Sequence, residues 1–571
     1  MSKFHWLTVS AIALAATSVS AASIGSFSPY RLQEIDKTIS ADDYQGRGVN
    51  TPAETKTVNY IIDQFRSAGL QPGGDLVNGQ RKWTQDVPLL QSELTGDPIV
   101  TVQTAAGGMR LTQGNDIAVR SPQNGQNQIR MDNAPLVFAG YGVSAPERNW
   151  DDFKGQDVKG KVIVVLVNDP DFEGGEGDFG GKAMTYYGRW TYKYEEAARR
   201  GAAGVMIVHE TVPAAYGWNT VKNSNTNTQF DIVRQNPTGS HTPFETWIQR
   251  DVAVQLFKNA GLDFEAAKAA AKRRDFKPID LKATVSATAN ANVSTITSHN
   301  VVGLLPGKKY PNETLIYSAH WDHLGVGRPD ANGDNIYNGA VDNATGIAQL
   351  IEQGRLFSLE RRPDRSVIFL AVTAEEKGLL GSEYYATHPL YPLATTVGVL
   401  NTDSMGVWGP AKNFSISGTA KLDLLDDLIA AGKAEGRYFT PDPHPETGGF
   451  YRSDHFSFAK QGVPALSFGS GRDLVNGGIA RGDALAADYT AKRYHQPDDE
   501  FNPQWNFTGM AQDANLLHLV GEKLANSREW PNWSQDSEFR AARDKSTAER
   551  TEAGTPVAPA PAKPPKKGER G

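Results

Sequence analysis

Hydrophobic positions in the C-terminal half fall into two patterns. Thr314 to Ala319, Ser366 to Thr373 and Val397 to Leu400 are short, apolar, β-leaning runs, and each gives way to polar or acidic residues. Between the first two runs, Ile347, Leu350, Ile351 and Leu356 recur at helical spacing. The alternation predicts an α/β core with functional side chains at the ends of its strands, where open α/β sheets place ligand chemistry.

Nearer the N-terminus, Thr51-Pro52-Ala53-Glu54 has the form of a capping box with proline at the first helical position. Val58, Ile61, Ile62 and Phe65 follow at helical spacing, with Gly69 as the stop. From about Ala134 the pattern changes. Pro135 to Ala139, Lys161 to Val167 and Val205 to Val208 are strand-like, and Tyr194 to Arg200 is helical and ends at Gly201. These predict a compact α/β or α+β insert. Its segments Glu173 to Gly181 and Asn219 to Thr228 are expected to be mobile loops, and Arg472 to Ala491 a loop at a pocket rim.

Composition narrows the class. With 39% hydrophobic residues over 571 positions, the chain can bury globular cores in several units. A net charge of −7 argues against general nucleic-acid binding. Lys3, an apolar run from Leu7 to Ala16 and Val19-Ser20-Ala21 predict a secretory signal peptide over 1–21, too short in its apolar part to stay as a membrane anchor. With no cysteine in the sequence, a periplasmic or secreted product would have no disulfides. From 543 onward apolar residues thin out and Pro, Ala and Lys dominate, which predicts a disordered tail over 543–571.

The strand ends carry the candidate chemistry. His320 and Asp322 follow the first run, and Asp342 sits in a tight turn before the helix, where a carboxylate can bridge two cations. Glu375-Glu376 and Asp403 follow the next runs, and Tyr494-His495 lies on a later loop. Imidazole and carboxylate without thiolate suit zinc, with manganese or cobalt compatible. Two ions sharing a carboxylate would clamp a water and make it a nucleophile at neutral pH.

In this order the residues resemble the M28 family of di-zinc aminopeptidases, whose signature is His-x-Asp, Asp-Asn-Ala-Ser/Thr-Gly, Glu-Glu, Asp and a late His. The resemblance spans roughly 295 to 530. It implies a zinc-exopeptidase-like fold, a mixed, mostly parallel central sheet flanked by helices. It further implies two divalent ions, zinc first, with His320 and Asp403 on one, Glu376 and His495 on the other, and Asp342 bridging. Glu375 would be the general base and Tyr494 the oxyanion donor. Asp322 would be the carboxylate orienting the imidazole of His320. The peptide bond Asp342-Asn343 would be cis. Ala-Gly-Tyr-Gly-Val, Val-Lys-Gly-Lys-Val-Ile-Val-Val and Ala-Ala-Arg-Arg-Gly-Ala-Ala-Gly-Val resemble the protease-associated domain, placed at 132–290 between peptidase parts at 27–131 and 295–540.

The activity implied is removal of N-terminal residues from peptides with a free N-terminus. A carboxypeptidase or glutaminyl cyclase of the same fold, or a receptor-like binding protein, are the alternatives. A serine hydrolase is disfavoured, because no Gly-x-Ser-x-Gly elbow occurs. Three motifs carry less. His209-Glu210 lacks the second zincin histidine and is expected in a loop. Asp330 to Asp334 lacks the central glycine and closing glutamate of a calcium loop and is expected to be a turn. His455, in Arg-Ser-Asp-His, fits a pocket or a core position equally.

Overall fold

The computed structural model describes residues 26–552 apart from 176 and 536. The expected signal peptide and residues 553–571 lie outside the described residues. The larger unit is built on strands β1 (Thr84–Leu94), β2 (Ile279–Leu305), β3 (Tyr310–His320), β4 (Arg365–Val372), β5 (Thr396–Thr402), β6 (Asn413–Ile416) and β7 (Ala465–Ser470). They lie side by side in the order β1-β2-β4-β3-β5-β7-β6. Strands β4, β3, β5 and β7 are mutually parallel, and the outer pairings are antiparallel. This is the mixed, mostly parallel sheet expected.

The parallel strands are apolar along their whole length because both faces are covered. Leu315, Tyr317, Ala319, Val367, Phe369 and Ala371 point into one core. The alternate residues Ile316, Ile368, Leu370 and Val372 point into the other. The first core is closed by helices α1 (Pro29–Ile39), α2 (Pro52–Ser67), α3 (Thr345–Leu359) and α4 (Thr508–Asn526), and the second by the helices Leu380–Thr387 and His455–Lys460. Phe369 is fully buried and stacks on Tyr317 with ring centroids 5.8 Å apart, so its truncation to alanine would cost about 3–5 kcal/mol.

Helix α2 forms where its periodicity predicts, but the capping box does not. The Thr51 hydroxyl donates back to the Gly48 carbonyl (2.6 Å). Glu54 instead accepts from the Asn50 N–H (2.6 Å) and the Ser298 hydroxyl (2.7 Å), so a tertiary contact takes the carboxylate that a local cap would have used.

The insert has its own core, which includes Val100, Ile117, Leu136, Val164, Met206 and Phe257. It therefore begins near Ile99, earlier than residue 132. The strand Ile99–Thr104 buries alternate residues, a period of two too brief to stand out in sequence. Its other boundary is not a linker either. The N-terminal half of β2 pairs with insert strands Ile99–Thr104 and Gln128–Phe138, and its C-terminal half pairs with β1 and β4. Inside the insert, Gln128–Phe138, Val162–Leu166, Gly204–His209 and Phe244–Gln249 run parallel, with the helix Trp190–Arg199 against them.

Four local expectations are corrected. Residues 218–225 form a helix within the segment expected to be a loop, and Gly478–Lys492 is helical where a rim loop was expected. His209 ends a strand and is buried between Trp218 and Trp247, its Nε2 2.9 Å from the Tyr216 carbonyl. The tail starts later than 543, because Arg540–Lys545 and Thr547–Glu552 are helical. The buried Arg543 anchors them by donating to the Thr396 carbonyl at 3.0 Å. Asp330 does make a turn, its Oδ1 accepting the N–H groups of Asn332 (2.8 Å) and Asp334 (2.9 Å). The segment 173–181 is held by Asp171, whose carboxylate accepts from Gly177, Phe179 and Gly181.

A charged clasp joins the two units. Arg234 of the insert pairs with Asp231 (2.8 Å) and with Glu383 of the larger unit (3.0 Å). Asp231 and Glu245 also sandwich His241 at 3.1 and 3.0 Å. Burial lowers an imidazole pKa, but the two carboxylates outweigh it and raise His241 to about 10. The folded chain therefore holds a proton that the unfolded chain releases near pH 6.5. The stabilisation is complete below pH 6.5 and is lost as pH rises through about 10. Urea midpoints at pH 7 and pH 9.5 should thus differ more for the wild type than for His241→Gln, and equal differences would remove His241 as the source.

Candidate metal centre

The C-terminal ends of β3, β4 and β5 deliver the candidate ligands to one place. His320 is the last residue of β3, Glu375 and Glu376 follow β4, and Asp403 follows β5. Asp342 lies between β3 and α3, and His495 follows the helix Gly478–Lys492. Several of these turns pass through left-handed backbone: Gly339 (φ 59°), Ala374 (52°), Ser404 (55°) and His495 itself (56°). At Gly339 a Cβ would sit 2.2 Å from the Asp342 carbonyl oxygen, so only glycine fits.

Asp342 stands between two half-sites. Its Oδ1 is 3.3 Å from His320 Nε2, which is also 3.5 Å from Asp403 Oδ1. Its Oδ2 is 3.2 Å from His495 Nε2, which is 3.0 Å from Glu376 Oε2. The five residues expected to converge are thus together, and the two oxygens of Asp342 face different imidazoles. The bond Asp342-Asn343 is cis. Glu375 Oε2 lies 3.8 Å from His320 Nε2, beside the cluster.

Buried donors and acceptors are left open here. His320 Nε2 and Glu376 Oε1 are buried without a hydrogen-bond partner, as are both ring nitrogens of His323. His320–Asp342–Asp403 and His323–Asp342–Glu376 each bring ligand atoms close enough to hold an ion. Orphaned polar atoms of this kind are costly unless a ligand completes them, and imidazole with carboxylate is a donor set that divalent zinc accepts. The residues fit a divalent cation such as zinc.

Asp322 acts differently from expectation. Its carboxylate is 3.9 Å from His320 Nδ1, and its main-chain carbonyl makes the imidazole contact at 3.1 Å. The carboxylate instead accepts the N–H groups of Glu375 (3.1 Å) and Glu376 (3.4 Å), fixing the turn that carries both glutamates. That turn, Glu375–Lys377, is a short 3-10 helix. Tyr494 packs its ring 4.0 Å from that of His495, and its hydroxyl accepts from Arg452 at 3.0 Å. His455 is a core residue, wholly buried against Phe450 and pushed down to about 3 by burial.

Sequence reasoning missed two participants. His323 Nδ1 approaches Glu376 Oε1 at 2.6 Å without hydrogen-bond alignment, and its ring packs on that of His495 at 5.6 Å. The second histidine of His-Trp-Asp-His was its only signal. Ser224, on the insert helix Trp218–Asn225, places Oγ 2.8 Å from His495 Nδ1, and Asn223 donates to the His495 carbonyl at 3.0 Å. No pattern in the sequence ties 224 to 495.

Charge in the cluster favours cations. Burial alone would raise Asp342, but the imidazoles of His320 and His495 beside its two oxygens hold it well below the carboxylate range. Burial raises Glu375 well above that range, with Asp403 and Glu376 adding repulsion against the lowering effect of His320. Burial lowers His495, yet Glu376 and Asp342 outweigh it and raise it to about 9.

The sequence model of peptidase family M28 matches residues 300–518. That segment belongs to peptidase family M28. A probable zinc metalloprotease of Pyricularia oryzae is 29% identical over 39% of this chain and 45% of its own length. One of Pyrenophora teres f. teres is 25% identical over 45% of this chain and 49% of its own. The chain spans about half the length of these curated relatives. Among solved structures, an aminopeptidase from Aneurinibacillus sp. strain AM-1 shares the fold, with a TM-score of 0.50 at 19% identity, over 89% of this chain and 96% of that one. The M28 segment begins after the insert, so the Ser224 contact joins it to residues outside the match. No helix among the described residues is long and apolar enough to cross a membrane.

Because His495 must lose its proton to ligate, zinc affinity measured against a competing chelator should rise from pH 6 to pH 9. Ser224→Ala should lower that affinity by about tenfold, since partners of ligating histidines typically contribute at least that much. An unchanged affinity would mean that Ser224 does not orient the ligand.

Proposed function

We propose that this chain is an exported metallo-exopeptidase that removes N-terminal residues from peptides. The observation that carries the reading is Asp342, one carboxylate shared between two imidazole–carboxylate groups, with Glu375 uncommitted beside them. His320, Asp342 and Asp403 would hold one divalent ion, and Asp342, Glu376 and His495 the other, zinc being the first choice. Such ions supply Lewis acidity and a water acidic enough to react at neutral pH.

The residues of the chain would do the rest. Glu375, held by the contact of its N–H with Asp322, takes the proton of the attacking water on its carboxylate and returns it to the leaving amine. Its raised proton affinity suits a group that must carry a proton between two partners. The Tyr494 hydroxyl accepts from Arg452, which leaves its own proton free to meet the developing oxyanion. The insert, read as a protease-associated domain, walls the cavity with Trp190, Tyr216 and Ser224 and would keep long or folded chains away from the centre. The names of the fungal relatives, zinc metalloproteases, agree with this reading.

Two variants separate the roles. Glu375→Ala should lower turnover of leucine p-nitroanilide by about a hundredfold or more while keeping two zinc ions per chain by elemental analysis. Asp342→Ala should lose both zinc and turnover, because a bridge belongs to both half-sites. Equal zinc loss in the two variants would overturn the assignment. N-acetylated leucine p-nitroanilide should not be cleaved, and its hydrolysis at a comparable rate would exclude an aminopeptidase.

A further inference from the structure

His323 stands three residues past His320 and outside the ligand set that the family resemblance implies. Its side chain is buried, and neither ring nitrogen has a hydrogen-bond partner. A neutral imidazole carries one N–H and one lone pair, so burying both unmet is unfavourable. Other buried histidines differ from it. His209 Nε2 lies 2.9 Å from the Tyr216 carbonyl, and His518 meets Gln353 Oε1 and Glu360 Oε2, each at 3.0 Å. His455 is unpartnered too, but its ring packs on Phe450 with centroids 4.8 Å apart, and among the described residues it belongs to no group placed to hold an ion.

His323 does belong to such a group, with Asp342 and Glu376. Its Nδ1 is 2.6 Å from Glu376 Oε1, yet the two atoms are out of line for a hydrogen bond. The other oxygen of Glu376 is 3.0 Å from His495 Nε2. Glu376 is therefore flanked by two imidazoles, as Asp342 is flanked by His320 and His495. The fold makes room for this ring: a Cβ on Gly339 would stand 2.5 Å from His323 Cγ. Buried nitrogen and oxygen atoms held this close without bonding each other are both satisfied by one shared cation.

We propose that His323 is a further imidazole ligand of the metal centre, joining Asp342, Glu376 and His495 on one ion. This rests on the two-ion reading above. It makes the half-sites unequal, with two imidazoles on this side and His320 alone on the side of Asp403. The side richer in imidazole should bind zinc more tightly and fill first.

The test loads the full chain, labelled with nitrogen-15 in its histidines, with cadmium-113 as a stand-in for zinc, and counts the imidazoles whose nitrogen signals are split by the metal. Three split rings are expected, and one of them should show a proton contact to Gly339, which assigns it to His323 without a variant. In His323→Gln that ring is lost and two remain. Zinc affinity of the tighter site, measured against a competing chelator, should fall by about a hundredfold or more, beyond the usual effect of removing a mere hydrogen-bonding partner of a ligand. Two split rings in the wild type would overturn the proposal and leave the two-ion reading intact, with His323 as a neighbour of Glu376 only. Three split rings persisting in His323→Gln would overturn it as well. A chain that binds neither cadmium nor zinc would count against the metal centre itself.

Discussion

The candidate metal centre depends on one buried cation, Arg47. Its guanidinium donates to the carbonyls of Ile39 (3.0 Å), Trp321 (2.8 Å), Asn338 (2.7 Å) and Gly339 (2.8 Å), and more weakly to Asp342 (3.4 Å). It thereby ties the strand end that bears His320 to the turn that bears Asp342. From the other side the Asp499 carboxylate accepts the N–H groups of Val341 and Asp342, each at 3.0 Å. Cation and anion hold the same turn without touching each other's contacts. Burial lowers Arg47, and the surrounding Asp36, Asp342, Asp499 and Asp322 oppose that shift. Removing one partner from such a buried arrangement typically costs about 3–5 kcal/mol, because the remaining charge stays buried.

The same network sets the charge one layer beneath the carboxylate-rich centre. Asp36 is buried with both oxygens unpartnered, and burial first, then Asp499, raise it well above the usual range. Asp499, also raised mainly by burial, receives the Tyr489 hydroxyl at 3.2 Å in addition to its two N–H groups. Charge is therefore thinned out one layer beneath the ligands. Among the candidate ligands, burial lowers His320 and His495, and the surrounding carboxylates outweigh it and raise both imidazoles.

How much of this was legible follows from what each residue contacts. The ligands at the ends of β3, β4 and β5 could be placed from sequence, because a buried parallel strand is a continuous apolar run and its end is where the run stops. Asp342 was legible for the same reason, as the turn before a helix of clear period. The second layer was not. Asp322 does its work through main-chain N–H groups 53 and 54 residues away, and Ser224 reaches His495 across 271 residues. Arg47 spends its donors on carbonyls, which leave no mark in the sequence. The insert boundary was misplaced because β2 serves two sheets without a break, so no polar linker announces the change.

The insert is more than a cover. Through Asn223 and Ser224 it holds His495, whose backbone is in the left-handed region that a histidine adopts only when its surroundings require it. A ligand in that conformation needs contacts on both flanks, and here one flank belongs to the insert helix and the other to Tyr494, whose carbonyl receives the Thr220 hydroxyl at 3.5 Å. The insert helix is thus part of what positions His495. Whatever free energy docking contributes to the ligand set, occupation of that ligand set returns to docking, because coupling between two sites is reciprocal. The clasp of Arg234 with Glu383 and the shared strand β2 hold the insert against the larger unit.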